Sequence, residues 1–189
     1  METSYRQLTD FLVQLGSEKV PHTQKTYLAH VIAVYRIMKE AGCSEELCRA
    51  GMFHSIYGTE SFQSFALPLE HRPEVRALIG ERAERLAYLN CAMDRPSFDR
   101  AVEQGSPPHF MRDRLTGQQV QLSAEEFDDL CRVHLYDWLE QVPRSEKYGW
   151  NHRRQAYRSM AARLGPVAEA TYQRVFAAEP VTIGERGQS

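Results

Sequence analysis

Apolar residues recur at helical spacing along nearly the whole chain, which leaves little room for any other architecture. Tyr5, Leu8, Phe11, Leu12 and Leu15 mark residues 4–15. Tyr27, Leu28, Val31, Val34, Tyr35 and Met38 mark residues 23–41, where Gly42 stops the pattern. Each set is one apolar stripe on a 3.6-residue helix and must be buried against another stripe. Ser44, followed by Glu46 and Leu47, opens a short helix running into His54. Pro68 and Pro73 bracket a loop, after which 73-PEVRALIGERAERLAYLNCAM-93 reads as one long helix with proline in its first turn. Pro96 can start another short helix, and 105-GSPPHF-110 is a loop. Ser123 and Glu126 make a capping box for residues 124–142, which Pro143 ends; residues 151–164 and 166–177 give two more helices. Only 114-RLTGQQVQLS-123 has strand character, as a small hairpin near 114–122 turning at Thr116-Gly117. The expectation is an all-α fold: one multi-helix domain over residues 1–177 and a flexible tail over 178–189.

Composition narrows the function classes. The chain has 189 residues, with 23 basic against 25 acidic side chains and a formal net charge of -2. That balance lacks the basic footprint of a nucleic-acid binder. No apolar run reaches membrane-spanning length, and METSYRQLTDFLVQLG lacks the charged-then-apolar order of a signal peptide. A cytoplasmic protein with no nucleic-acid and no membrane partner is expected. Cys43, Cys48, Cys91 and Cys131 form no C-x-x-C pair and read as small buried hydrophobes. An apolar stripe does not distinguish core from subunit contact, so oligomeric state stays open.

The informative residues are polar groups on apolar faces. His30 is followed by Ala33, Val34, Ile37 and Ala41 at i+3, i+4, i+7 and i+11. His54 ends the run after Met52 and Phe53, and Asp137 shares a face with Leu130 and Val133. A buried carboxylate is costly unless a cation, a metal or several donors meet it. Two imidazoles and a carboxylate from three helices could converge on one ion, with zinc, manganese or iron as suitable metals. Each residue taken alone could equally be a satisfied core group, and Asp137 could pair with an arginine.

The order of these motifs resembles the HD-domain metal-dependent hydrolases, most nearly the hydrolase domain of the RelA/SpoT stringent-response enzymes. In 20-VPHTQKTYLAHVIAVYRIMKEAGCSEELCRAGMFHSIYGTE-60, Tyr27 and His30 match the family's Tyr-x-x-His helix, and His54 matches the histidine of its His-Asp motif. The segment 74-EVRALIGERAERLAYLN-90 looks like the helix after that motif. In 134-HLYDWLEQ-141, Asp137 stands where the family's last ligand stands. The likeness spans residues from about 20 to 142. It departs where Ser55 replaces the aspartate of His-Asp, and where Gly58 and Thr59 replace an acidic pair, with Glu60 just beyond. These departures speak against alarmone hydrolysis itself. The chain is also similar to small uncharacterised bacterial proteins sharing His-Ser-x-Tyr-Gly-Thr, here His54 to Thr59. Glu84, in 83-AERLAY-88, is the alternative last ligand or a substrate contact, or else a solvated helix residue pairing with neighbouring arginines.

The resemblance implies an enzyme with a divalent ion, Fe, Mn or Zn, at His30, His54 and Asp137. Three protein ligands leave positions open for water and substrate. Hydrolysis of a small anionic metabolite is then the leading reading, with Glu60 as base, Ser55 beside the site and Tyr57 donating to an oxyanion. His22 could touch substrate. A two-histidine, one-carboxylate iron oxygenase is the alternative. A degenerate HD-like protein that binds a ligand or partner without catalysis is the third reading. His134 reads as a surface residue or a partner of Asp137, and His109 and His152 as exposed. Arg144, Lys147, Arg153 and Arg154 read as a solvated face that could also meet an anionic substrate.

Overall fold

A computed structural model describes residues 3–180. The tail expected over 178–189 falls mostly on residues 181–189, outside the described residues. Among the described residues the fold is all-α: nine α-helices and two short antiparallel hairpins. The helices are α1 (Tyr5–Gln14), α2 (Tyr27–Glu40), α3 (Glu45–Met52), α4 (Arg72–Ile79), α5 (Glu81–Ala92), α6 (Arg95–Gln104), α7 (Ala124–Gln141), α8 (Arg154–Leu164) and α9 (Pro166–Phe176).

Local chemistry sets most helix starts. Ser4, Thr26, Ser44, Asp94 and Ser123 each accept a backbone N–H of the first turn with their side chains. At Ser4 and Ser123 the third helical residue, Gln7 or Glu126, reciprocates and closes a capping box. The segment read as one helix over 73–93 is two. Gly80 sits at φ +97°, a conformation open to glycine, and breaks it into α4 and α5.

Helix α7 is the axis of the domain and packs on α2, α3, α5 and α8. It is buried on nearly every side, with Phe127, Leu130, Val133, Leu135 and Trp138 all inside. Helix α2 packs tightly on α3, where a Cβ on Gly51 would lie 2.3 Å from Met38 Sδ. This approach seats the end of α3, and therefore His54, against α2.

Two hairpins decorate this frame. β1 (Pro21–His22) pairs with β2 (Lys25–Thr26) directly before α2, and β3 (His109–Arg112) pairs with β4 (Gln119–Leu122) directly before α7. The second is the expected hairpin, with its first strand starting at His109 rather than near residue 114. That register turns His109 inward. It is 1% exposed and stacks on Phe127 at 3.9 Å, so the expectation of an exposed loop histidine is corrected. Cys48, Cys91 and Cys131 are buried and Cys43 half-buried, all as free thiols.

Candidate metal centre

Three helices bring His30 (α2), His54 (just past α3) and Asp137 (α7) together. Their candidate ligand atoms lie within 4.8 Å of one another, and all three residues are buried. His30 Nε2 is 3.1 Å from Asp137 Oδ1, and His54 Nε2 is 3.3 Å from the same oxygen. Ligands held about 2.1 Å from a common ion are separated by roughly 3.0–3.4 Å, so the spacing fits.

The other ring nitrogens decide what these atoms can be. His30 Nδ1 lies 2.6 Å from Glu140 Oε2, and His54 Nδ1 lies 2.7 Å from the Gly51 carbonyl oxygen. A carboxylate and a carbonyl only accept, so both Nδ1 atoms carry the hydrogen. In the neutral rings both Nε2 atoms are then bare lone pairs facing a carboxylate oxygen. Such a set needs a cation, either a proton or a metal. His30 Nε2 is fully buried and has no aligned hydrogen-bond partner despite its nearness to Asp137. A proton there would not point along a hydrogen bond, whereas an ion between the three atoms would satisfy all of them.

The electrostatics agree. Burial disfavours the charged form of His30, but its contacts with Asp137 and Glu140 outweigh that and raise its pKa above the ordinary 6.5. Burial likewise opposes ionisation of Asp137, but His54 and His30 hold its carboxyl well below the usual range. Glu140 is held at about 2: burial opposes this, while His30, Lys25 and Arg144 favour the carboxylate. Lys25 Nζ and Arg144 Nη2 approach Glu140 Oε1 at 2.8 and 2.9 Å. Glu140 is thus the anionic residue behind His30, in the manner of carboxylate–histidine–metal triads.

A second chain of hydrogen bonds supports His54 from behind. Arg153 Nη1 can only donate, and it lies 2.6 Å from His134 Nε2. His134 therefore carries its hydrogen on Nδ1, which faces Asn90 Oδ1 at 3.2 Å, and the Asn90 amide donates to the His54 carbonyl oxygen at 2.9 Å. Every donor points towards His54. Burial, followed by the charges of Arg153 and Arg95, drives the pKa of His134 well below 6.5 and keeps it neutral. The reading of His134 as a surface histidine is corrected: it is 2% exposed. Arg153 is also not a solvated charge, since Asp99 pairs with it at both Nε (2.8 Å) and Nη2.

A cleft of about 440 Å³ reaches the centre and is lined by His22, His54, Ser55, Arg95, Asp137 and Lys147 among others. Ser55 Oγ donates to Tyr27 Oη at 3.2 Å. His22 stacks on His30 at 4.1 Å, with its Nδ1 buried and unpartnered. Burial, then the neighbouring His30, lowers its pKa to about 3, so its ring is neutral. His152 also lines the cleft and is half-buried rather than exposed.

The remaining candidates stand elsewhere. Tyr57 donates to Glu84 Oε1 at 3.0 Å, and Arg72 grips both oxygens of Glu84, at 2.7 and 3.1 Å. This group is not part of the cleft lining. Glu84 is fully buried rather than solvated. Glu60 is exposed and accepts the Arg95 backbone N–H at 3.3 Å, also outside the lining. Glu140 escaped the sequence reading. Its signal was its position three residues after Asp137, on the same helix face.

Comparison with known proteins adds little chemistry. Residues 11–95 match a family model described as a domain of unknown function (DUF6817). That span holds His30 and His54 but stops short of Asp137. No curated protein and no solved structure matches the chain. Among the described residues, no helix is long and apolar enough to cross a membrane.

Proposed function

We propose that this chain is a metal-dependent enzyme of HD-like type that hydrolyses a small anionic metabolite in the cleft above His54. The observation that carries the reading is His30 Nε2: a fully buried nitrogen, left as the lone-pair atom of the neutral ring because the Glu140 contact keeps the hydrogen on Nδ1, beside two further ligand atoms and without a hydrogen-bond partner. Leaving such an atom unsatisfied costs about 1–3 kcal/mol. A site that retains this cost without a ligand would be hard to explain.

A divalent ion held by His30, His54 and Asp137 would lower the pKa of a coordinated water and polarise a substrate oxygen. The chain supplies the rest. Glu140 fixes the His30 tautomer, and the Gly51 carbonyl fixes that of His54. Gln141 donates to Asp137 Oδ1 at 2.9 Å and holds the carboxylate in place. His22 lines the cleft as a neutral ring, so it would meet substrate there without repelling the ion. Ser55 stands where an HD protein carries an aspartate; its hydroxyl, tied to Tyr27, leaves a coordination position to water or substrate.

The test is elemental analysis of the purified protein beside His54→Ala. About one zinc, manganese or iron per chain, lost in the variant, is the expected result. No metal in the wild type, even after reconstitution with each of the three, would overturn the reading. Iron together with substrate-dependent oxygen uptake would move the assignment from hydrolase to oxygenase, which the same donor set also suits.

A further inference from the structure

Two basic side chains on the cleft wall stand without an acidic partner among the described residues. Arg95, at the start of α6, and Lys147, in the loop before α8, both line it. Among the described residues neither side chain meets a carboxylate. Other cations nearby are already neutralised: Arg144 by Glu140, and Arg153 by Asp99. Glu146, the acidic residue beside Lys147, accepts the Gln24 amide at 2.5 Å.

Four side chains from three segments meet on this wall. Arg95 Nη1 donates to Ser61 Oγ, and Lys147 Nζ lies 4.8 Å from the centroid of the Tyr148 ring. Burial opposes ionisation of Tyr148, yet hydrogen bonds with Lys147 and Ser61 and the charges of Lys147 and Arg95 hold its pKa below the usual value. Trp138 lines the same cleft and carries a buried indole N–H without an acceptor. Two cations without a paired carboxylate and two hydroxyls define a wall short of oxygen acceptors.

We propose that Ser61, Arg95, Lys147 and Tyr148 bind a dianionic, phosphate-type oxyanion group of the substrate, as a handle distinct from the atoms that His30, His54 and Asp137 act on. The inference rests on the cleft being the substrate site. It adds that the substrate has two ends: one reacts at the metal centre and the other, anionic, is gripped by the arginine and the lysine. A carboxylate fits this wall less well, because a single negative charge would leave one of the two cations uncompensated.

Calorimetric titration of inorganic phosphate into the full chain, with a chelator present, reads this site apart from the metal. Saturable binding with a Kd below about 10 mM is expected. Arg95→Gln and Lys147→Gln should each weaken it roughly tenfold, since each removes a charge-assisted contact, with Arg95→Lys recovering part of the loss. Acetate should bind roughly tenfold more weakly than phosphate. Metal content of the same samples keeps the two readings separable, because Arg95→Gln should retain its metal. Absence of saturation, or wild-type phosphate affinity in Arg95→Gln and Lys147→Gln, would overturn the handle. Acetate binding as tightly as phosphate would overturn its dianionic character.

Discussion

Two buried acidic residues in this molecule solve the same problem in opposite ways. Glu84 is fully buried and surrounded by donors: Arg72 on both oxygens, Arg76 at 3.5 Å and the Tyr57 hydroxyl at 3.0 Å. Asp137 is almost as deeply buried, but two of its nearest polar neighbours are imidazole nitrogens that hold no proton in the neutral state. Glu84 is a finished ion pair, and a metal would have to displace arginines to reach it. Asp137 belongs to a set of lone pairs that is complete only with a cation. Burial of a carboxylate therefore does not identify a metal ligand; the protonation pattern of its partners does.

The largest effect that separates the two clusters is loss of the ion. Asp137→Asn should keep the shape of the side chain and remove the charge, dropping metal content from about one per chain to background. Glu84→Gln should leave metal content untouched while destabilising the fold by about 1–3 kcal/mol, because it leaves the half-buried Arg72 without its carboxylate partner. Chemical denaturation and elemental analysis on both variants check the contrast. Metal loss in Glu84→Gln with retention in Asp137→Asn would reverse the assignment of the last ligand.

Removing Glu140 tests the centre one step further out. Glu140→Gln should weaken metal binding by roughly 10–100-fold without abolishing it, as substitutions behind a ligating histidine do. It also carries a pH signature in the metal-free protein. The Glu140 carboxyl is at about 2 in the fold against 4.5 as its ordinary value, worth about 3 kcal/mol at neutral pH. A depressed carboxyl stabilises above its unfolded value and loses that contribution as pH falls from about 4.5 to 2. The wild-type protein should therefore lose stability across that window more steeply than Glu140→Gln. His30 acts in the other direction: its raised pKa stabilises the metal-free fold at acid pH and is lost as pH rises through the folded value. Metal affinity should rise over the same range as His30 gives up its proton. Unfolding curves that superimpose for wild type and Glu140→Gln between pH 2 and about 4.5 would remove Glu140 from the centre.

What the sequence disclosed follows the physics of each signal. The helices were legible because an apolar stripe at 3.6-residue spacing has few other solutions, and because Ser44 and Ser123 cap where caps are useful. His30, His54 and Asp137 were legible as polar groups on apolar faces. The break at Gly80 was hidden because Val75, Ile79, Ala83 and Leu86 keep the spacing across it, so both halves bury the same side. The hairpin at Pro21–Thr26 was hidden because its turn is Thr23-Gln24, at φ +37° and +61°, without the glycine or asparagine that announces such turns. The supports Glu140 and Asn90 were hidden because their roles depend on which atoms face them, and side-chain spacing does not encode tautomers.

The smallest effect lies along the chain from Arg153 to His54, and it tests whether that chain tunes the centre or only fills space. Asn90→Ala would remove the amide that donates to the His54 carbonyl and the oxygen facing His134 Nδ1. The His54 carbonyl would retain Cys91 Sγ at 3.2 Å, so the loss should be partial. A stability cost of about 1–3 kcal/mol is expected from the donor left on His134. Metal affinity should fall only a few-fold, less than in Glu140→Gln, because Asn90 holds the backbone of His54 rather than its ring. His134→Gln keeps polar capacity between Arg153 and Asn90 and should behave more mildly than Asn90→Ala. If both variants match the wild type in metal affinity while losing stability, the chain is a buried strut. If affinity falls in Asn90→Ala and is largely kept in His134→Gln, the backbone under His54 is what the chain positions.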